Sequence, residues 1–172
     1  MIWRRPLLLC LQPAQITAGN RGQASSKALP NPFRIDTIIA ETDTPSGLVY
    51  VRYGVSPGAV ASQADAASAQ CVIDSFGTLI TTSNRDMIPL PQGTVYLTGL
   101  GIVVPSSQMR LWVEAINSQS SDATRVSVTF LGEYIDEGPD ELSGATEFPV
   151  TDQRTPPGAA SGGFRPTTPI AP

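Results

Sequence analysis

The sequence predicts an all-β protein: a single antiparallel β-sandwich, of jelly-roll or immunoglobulin-like type, with extended arms at its N- and C-terminal ends. Seven or eight short runs rich in β-branched and aromatic residues recur every 8–14 residues, and Gly, Pro and Asn turns separate them. The last two runs alternate apolar and polar residues, which indicates strands with one buried and one solvated face. Both ends of the chain lack such a pattern and are punctuated by prolines, which disfavour helix.

The length of 172 residues suits one domain with tails. Charged residues make up only 15% of the chain, against about 25% in an average domain. Apolar residues make up 41%, which is enough for a packed core. Because nearly all the patterned apolar residues fall between positions 33 and 135, we assign residues 33–135 to the sandwich, residues 1–32 to an N-terminal arm and residues 136–172 to a C-terminal tail.

The strand pattern is justified run by run along the sandwich. Residues 59–70 are rich in alanine and form a short helix or a packed loop, and we favour the helix. The remaining runs alternate or are β-branched. The predicted strands are 34–42, 48–54, 71–74, 78–82, 94–98, 101–104, 109–117 and 125–135.

The two arms carry opposite charge. Residues 1–35 contain five basic residues and no acidic one, so with a net charge of −4 the rest of the chain carries −9. Six of the acidic residues lie in 134–153 without a base between them. Such an arrangement predicts complementary contacts within or between copies. The basic residues are too scattered to predict a nucleic-acid partner.

The N-terminal arm contains the best candidates for binding a partner protein. An aromatic residue and an aliphatic run can be buried in a partner's groove, and two neighbouring arginines can pair with an acidic patch. The apolar run has five residues, fewer than a signal peptide needs, and no stretch reaches the length of a membrane span, so neither cleavage nor a membrane is expected. The predicted partner-binding residues are Trp3, Arg4, Arg5, Leu7, Leu8, Leu9 and Leu11.

The residues that most enzymes need are missing. There is no histidine, which removes the usual general base near neutral pH and the commonest transition-metal ligand, and there is no glycine-rich phosphate loop. Gly54–Gly58 matches the G-x-S-x-G motif, but Pro57 follows Ser56 and lacks the N–H that an oxyanion hole requires. We therefore expect no enzyme activity, no catalytic residue and no cofactor.

Three local features leave alternatives open. Cys10 and Cys71 are not part of a zinc or redox motif, and they are either two free thiols, the reading we favour, or a disulfide. Asp136–Glu141 is either a solvated acidic linker, which we favour, or a site for a hard cation. Three strand tyrosines are either packing residues or a sugar-stacking platform, and they are Tyr50, Tyr53 and Tyr96.

Residues 33–135 resemble small β-sandwich virion proteins of tailed bacteriophages, including the cement or decoration proteins of capsid lattices. The resemblance rests on Phe33–Ile38 (FRIDTI), on a mid-domain Gly-Thr-Leu-Ile at 77–80, and on Leu111–Asn117 (LWVEAIN) leading to Val126–Tyr134 (VSVTFLGEY). It implies a non-enzymatic role in which the protein clamps neighbouring capsid subunits, often as an oligomer.

The function expected from the sequence is that of a virion structural protein, a capsid cement or decoration subunit that clamps its neighbours with its arms. Its partners would be other virion proteins and further copies of itself, and its location the virion, assembled in the host cytoplasm. The alternative is a carbohydrate- or receptor-binding β-sandwich module on a phage neck or tail.

Overall fold

Two antiparallel sheets stack face to face in the computed structural model, which describes residues 4–69, 71–74, 77–80 and 87–135. At positions 71, 79 and 80 only the backbone is described. The predicted all-β sandwich is confirmed. Within the described ranges, no helix is long and apolar enough to cross a membrane.

The described residues form ten strands and one short helix. The elements in chain order are β1 (Pro6–Leu11), β2 (Arg21–Ser25), β3 (Phe33–Thr42), β4 (Val49–Ser56), α1 (Gln63–Ser68), β5 (Cys71–Ile73), β6 (Leu79–Ile80), β7 (Ile88–Pro89), β8 (Gly93–Val104), β9 (Arg110–Asn117) and β10 (Val126–Tyr134).

The strand order is that of a jelly roll. The four-stranded sheet has the order β1-β10-β3-β8, and the six-stranded sheet has the order β2-β9-β4-β5-β6, with β7 pairing to β4. The antiparallel pairs are nested: β1 with β10, β2 with β9, β3 with β8, and β4 with β5. Chain segments therefore pass from one sheet to the other as they wind inwards, the arrangement of a double-sheet jelly roll rather than an immunoglobulin fold.

Side chains that alternate along the strands fill the space between the sheets. On β10, Val126, Val128 and Phe130 point inwards and are at most 2% exposed, as their spacing predicts. Tyr53 from the six-stranded sheet meets Phe130 edge to face, with ring centroids 6.0 Å apart. The other large side chains of this layer that are almost fully buried are Phe33, Ile35, Ile38, Val49, Val51, Val55, Ile73 and Leu111.

A β-bulge shapes the four-stranded sheet at one end. The register between β10 and β3 shifts where Leu131 faces Thr37 and Gly132 faces Ile35. Asp36 is the extra residue on β3. A Cβ atom on Gly132 would lie 1.8 Å from the backbone oxygen of Arg34, so only glycine fits at this crossing of strands.

The prediction that residues 1–32 form an extended arm outside the sandwich is wrong for most of the described part of that range. β1 is the edge strand of the four-stranded sheet and β2 the edge strand of the six-stranded sheet. Ile16, between the two strands, forms an isolated β-bridge with Thr124, and Leu29, after β2, forms one with Met109. The side chains of Ile16 and Leu29 are both buried in the core. The first 32 residues therefore contribute two strands and several core side chains.

Two smaller expectations are also modified. The predicted strands 94–98 and 101–104 are one strand, β8, whose pairing with β3 is irregular where Gly99 and Gly101 adopt positive φ angles. The helix favoured in 59–70 is present as α1 but is only six residues long. The C-terminal tail, 136–172, lies outside the described residues.

Candidate docking surface

The run Leu7–Leu11 is divided between the core and the surface. Because β1 alternates, Leu7 and Leu11 point between the sheets and are 3% and 7% exposed, while Leu9 is partly buried against the same core. The prediction that Leu7 and Leu11 bind a partner is wrong, since their own domain buries them. Leu8 points to solvent and is 71% exposed, so it stays available to a partner.

The two arginines that precede β1 make contacts within the chain. Arg4 forms an ion pair with Glu133 of β10, and the guanidinium of Arg5 lies over the ring of Tyr134, 5.5 Å from its centroid. These contacts hold the start of β1 against β10. Trp3 lies outside the described residues, so its role as an anchor stays a prediction.

The outer face of the four-stranded sheet contains a band of uncharged side chains that crosses all four strands. The strand register places these side chains in two adjacent rows. Leu8 and Tyr96, at opposite ends of the band, are the two most exposed large apolar side chains of the described chain, at 71% and 62%. The rows are Cys10, Thr129, Ile39 and Tyr96, and then Leu8, Leu131, Thr37 and Thr98. These eight residues are called the uncharged band below.

Charged residues border the uncharged band on both sides. On one side Glu41 accepts hydrogen bonds from the hydroxyls of Ser127 and Thr94, at 3.2 and 3.1 Å. On the other side Arg34 pairs with Asp36 at 2.8 Å and with Glu133 at 3.1 Å. An uncharged centre with a charged rim is the arrangement typical of protein–protein interfaces.

Cys10 belongs to the uncharged band and is an exposed free thiol. The Cys10 part of the favoured reading, two free thiols, is therefore confirmed. The side chain of Cys71 lies outside the described residues.

The outer face of the six-stranded sheet, in contrast, is covered by the chain itself. Trp112 projects from β9 on this face, away from the inter-sheet core, and is fully buried beneath residues 59–69. Its indole N–H has no hydrogen-bond partner among the residues that the structure describes. Ser62 caps α1 and shares a hydrogen bond with Asp65, which lowers the pKa of that carboxyl. The apolar residues of this cover and the strands beneath it are Val60, Ala66, Ala69, Val72 and Trp112.

Next to Trp112 the covered face holds a buried carboxylate. Glu114 is fully buried and is bonded by Arg52 Nε at 2.7 Å and Gln23 Nε2 at 2.9 Å, with Arg21 Nη1 at 3.7 Å. These donors compensate the carboxylate for lost hydration. A cavity of about 330 Å³, partly lined by Arg21, Arg52, Gln63, Ala67 and Met87, opens beside the cluster. The Glu114 cluster was not predicted from the sequence. The available signal was a charged residue, Arg52 or Glu114, inside each of two strongly apolar strands.

The Gly54–Gly58 motif forms a turn and not a nucleophile elbow. Ser56 ends β4, is 8% exposed, and its hydroxyl accepts a hydrogen bond from the backbone N–H of Gly58 at 3.3 Å. The neighbouring Asp65 accepts hydrogen bonds from the Ser62 hydroxyl and from the backbone N–H of Ala61, and these bonds stabilise the start of α1. Ser56 is thus part of the local turn geometry.

The tyrosines do not form a sugar-stacking platform. Tyr53 lies in the core, where burial and the charge of Asp74 raise the pKa of its hydroxyl to about 12. Tyr50 lies on the six-stranded sheet and Tyr96 on the four-stranded sheet, so the three side chains share no surface. The platform reading is wrong, because strand alternation separates the rings.

Nothing in the described residues indicates a resident metal ion. No group of three or more His, Cys, Asp or Glu side chains with metal-ligand spacing occurs in the part of the chain that the structure covers. Asp136–Glu141, the predicted alternative cation site, lies outside that part.

No protein-family model and no curated protein matches the chain. Similar solved structures include the infectious bursal disease virus Gt strain, with 14% identity and a TM-score of 0.32 over 74% of this chain and 32% of that one. The Gx strain has 15% identity and a TM-score of 0.30 over 78% and 33%. The D431N mutant VP2 protein of the same virus has 11% identity and a TM-score of 0.20 over 88% and 48%. The chain spans about a third of the length of the first two, and TM-scores of this size do not establish a common fold.

Proposed function

We propose that this protein is a non-enzymatic structural component of a virion, and more specifically a cement or decoration subunit of a capsid. The observation that carries the proposal is the uncharged band, an exposed interface-like surface on a jelly roll with no enzyme site among its described residues. Jelly rolls recur in viral capsids, lectins and cupins, so the fold alone does not decide the function. The band adds a surface suited to protein contacts.

Several observations support a non-enzymatic role. The chain contains no histidine, and Ser56 is used in a turn whose following residue, Pro57, has no N–H to donate. The buried carboxylate of Glu114 is bonded by donors from its own sheet. These groups stabilise the domain rather than forming a reactive pair.

The carbohydrate-binding alternative loses the feature that suggested it. Its tyrosines lie on different surfaces, and the uncharged band contains a single aromatic ring, Tyr96. Sugar recognition usually combines aromatic faces with several polar groups in a concave site. The band crosses an open sheet face, which suits a protein partner better.

The C-terminal tail is the remaining candidate for a clamp. Residues 136–172 contain six acidic residues, and the part from 154 to 172 contains five prolines. The tail lacks the apolar pattern of a packed domain. We propose that this tail lies on neighbouring subunits, together with Trp3. The virion, assembled in the host cytoplasm, is the proposed location.

The direct test is to follow the full chain through the purification of particles from cells that produce them. We expect the chain to co-sediment with intact capsids at a fixed copy number and to be accessible to antibodies on the particle surface. Recovery of the chain only in the soluble fraction would refute the virion role.

A second experiment separates the two proposed attachment regions. Recombinant full chain, a Leu8→Glu variant and a chain lacking residues 136–172 are added to capsids stripped of the protein, after circular dichroism has shown that each keeps its β spectrum. We expect both changes to lower occupancy, and the control Ala59→Glu, on the covered side of the molecule, to leave it unchanged. Deleting residues 1–12 is unsuitable, because it removes β1 and the core side chains of Leu7 and Leu11.

A further inference from the structure

Each strand of the four-stranded sheet contributes one larger and one smaller side chain to the uncharged band. Leu8 and Cys10 alternate on β1, and Leu131 and Thr129 lie beside them on β10. On β3 and β8 the larger residues lie in the other row. These remaining pairs are Ile39 with Thr37 and Tyr96 with Thr98. The surface therefore has two raised corners and two lowered corners, placed diagonally.

We infer that the partner of the uncharged band is the same band of a second copy, related by a two-fold axis that lies in the interface and runs across the strands. This rests on the proposed function only in taking the band as a docking surface. Such a rotation places each row against the other row of the partner copy. Leu8 then faces Cys10 of the second copy and Tyr96 faces Thr98, so a large side chain meets a small one on every strand.

The charged rims decide between the two possible in-plane axes. An axis along the strands would also set large against small residues, but it would bring Glu41 close to the same residue of the second copy. The axis across the strands places Glu41 opposite the rim in which Arg4 and Arg34 are paired with Glu133 and Asp36. The two copies of Glu41 are thereby kept apart, which favours this orientation.

The size of the face indicates a weak dimer. Four strands spaced by about 4.8 Å and four rows spaced by about 6.8 Å cover roughly 500 Å² on each copy. Two copies would bury on the order of 1,000 Å², the lower limit for a specific interface. We therefore expect a dimer that forms at micromolar concentrations and becomes permanent only where copies are held close together, as on a lattice.

The first experiment is sedimentation velocity on the full chain across a range of concentrations. We expect a reversible monomer–dimer equilibrium. Tyr96→Arg, which introduces one charge on each copy at the β8 end of the two-fold interface, should raise the dissociation constant roughly thirtyfold or more. The matched control Ala59→Arg, on the other side of the molecule, should leave it unchanged. A full chain that stays monomeric up to several hundred micromolar overturns the inference, and so does a dimer equally tolerant of both variants.

The orientation has its own test. With the axis across the strands, Glu41 faces a rim whose arginines are already paired with carboxylates, so Glu41→Gln should change the dissociation constant by less than about twofold at low and at high salt. Strengthening by Glu41→Gln would indicate the axis along the strands and overturn the proposed arrangement. Mixing Glu41→Arg chains with Arg34→Glu chains should form a heterodimer more readily than either variant forms a homodimer.

The outcomes for dimer and virion role can be told apart. A chain that is monomeric in solution but co-sediments with particles refutes the dimer and leaves the structural role standing. A dimer that disappears with Tyr96→Arg but is never found on particles supports this inference and refutes the proposed function.

Discussion

The outer faces of the two sheets differ in what covers them. On the six-stranded sheet, α1 and the segment before it bury Trp112, and side chains of the sheet itself surround the carboxylate of Glu114. On the four-stranded sheet, no described segment lies over the uncharged band, and Leu8 and Tyr96 remain largely exposed. The outer face of the six-stranded sheet is covered by its own chain, and the large side chains buried there stabilise the fold. The second face is not covered by the described chain, and large exposed apolar side chains on such a face are typical of a surface that binds a partner.

The largest expected effect contrasts the two largest aromatic side chains of these faces. Trp112→Ala should cost about 3–5 kcal/mol of unfolding free energy, because a fully buried indole is replaced by a cavity. Tyr96→Ala should change stability by about 0.5 kcal/mol or less in dilute protein. Urea denaturation followed by circular dichroism measures both, since the first variant lacks the buried tryptophan. Similar losses from the two variants would mean that the four-stranded face is also covered.

The next effect concerns carboxylates on the two faces. Glu114→Gln removes the buried carboxylate charge to which Arg52 is bonded and near which Arg21 lies, so we expect a loss of about 3 kcal/mol. Glu41→Gln at the exposed rim keeps its hydrogen-bonding shape and should cost less than about 1 kcal/mol. Thermal unfolding at low protein concentration compares them. An unchanged Tm for Glu114→Gln would show that the cluster is not a structural element.

Tyr53, in the core between the two sheets, should make the stability of the fold depend on pH. The raised pKa of Tyr53, about 12 in the folded protein against about 10 unfolded, means that folding favours the protonated hydroxyl. That contribution is complete below pH 10 and is lost as the pH rises from 10 to 12, by on the order of 2–3 kcal/mol. The stability difference between the natural chain and Tyr53→Phe should therefore change over this interval. A constant difference would contradict the assignment of Tyr53 to the core.

The smallest effect tests the cover itself. Ser62→Ala removes the N-cap of α1 and should cost about 1 kcal/mol, while Ser121→Ala in an exposed loop should be neutral. Hydrogen exchange should speed up at the amides of α1 and at those of β9 near Trp112 in the first variant. Faster exchange on the four-stranded sheet instead would show that the two faces are not independent.

The sequence predicted the central strands well and the first two poorly, for reasons that the burial explains. β3, β9 and β10 combine β-branched residues with alternation. In β1 the outward-facing Leu8 and Cys10 are as apolar as their inward-facing neighbours, so no alternation is visible. In β2 the inward-facing residues are Gly22 and Ala24, too small to mark a buried face.

The contrast between the faces could not be predicted from the strands alone. Alternation on β9 suggests that Trp112 and Glu114 face a different environment from Leu111 and Val113, but the cover of Trp112 comes from α1, a helix of six residues with few apolar groups, and from the segment before it. The uncharged band depends on register, which brings Cys10, Ile39 and Tyr96 from distant parts of the chain into one row. Neither feature has a signature within a single segment.

The nested pairing of the strands has a consequence for how the chain is made. β1 has only β10 beside it, and β10 also separates β1 from β3, so the first strand has no place in a sheet until the last has been synthesised. At typical translation rates the two are separated by roughly ten seconds. Contacts between such distant segments also make folding slow. Throughout that interval the leucines of β1 are exposed on the nascent chain, which should make chaperones important during its synthesis and C-terminal truncations within β10 prone to aggregation.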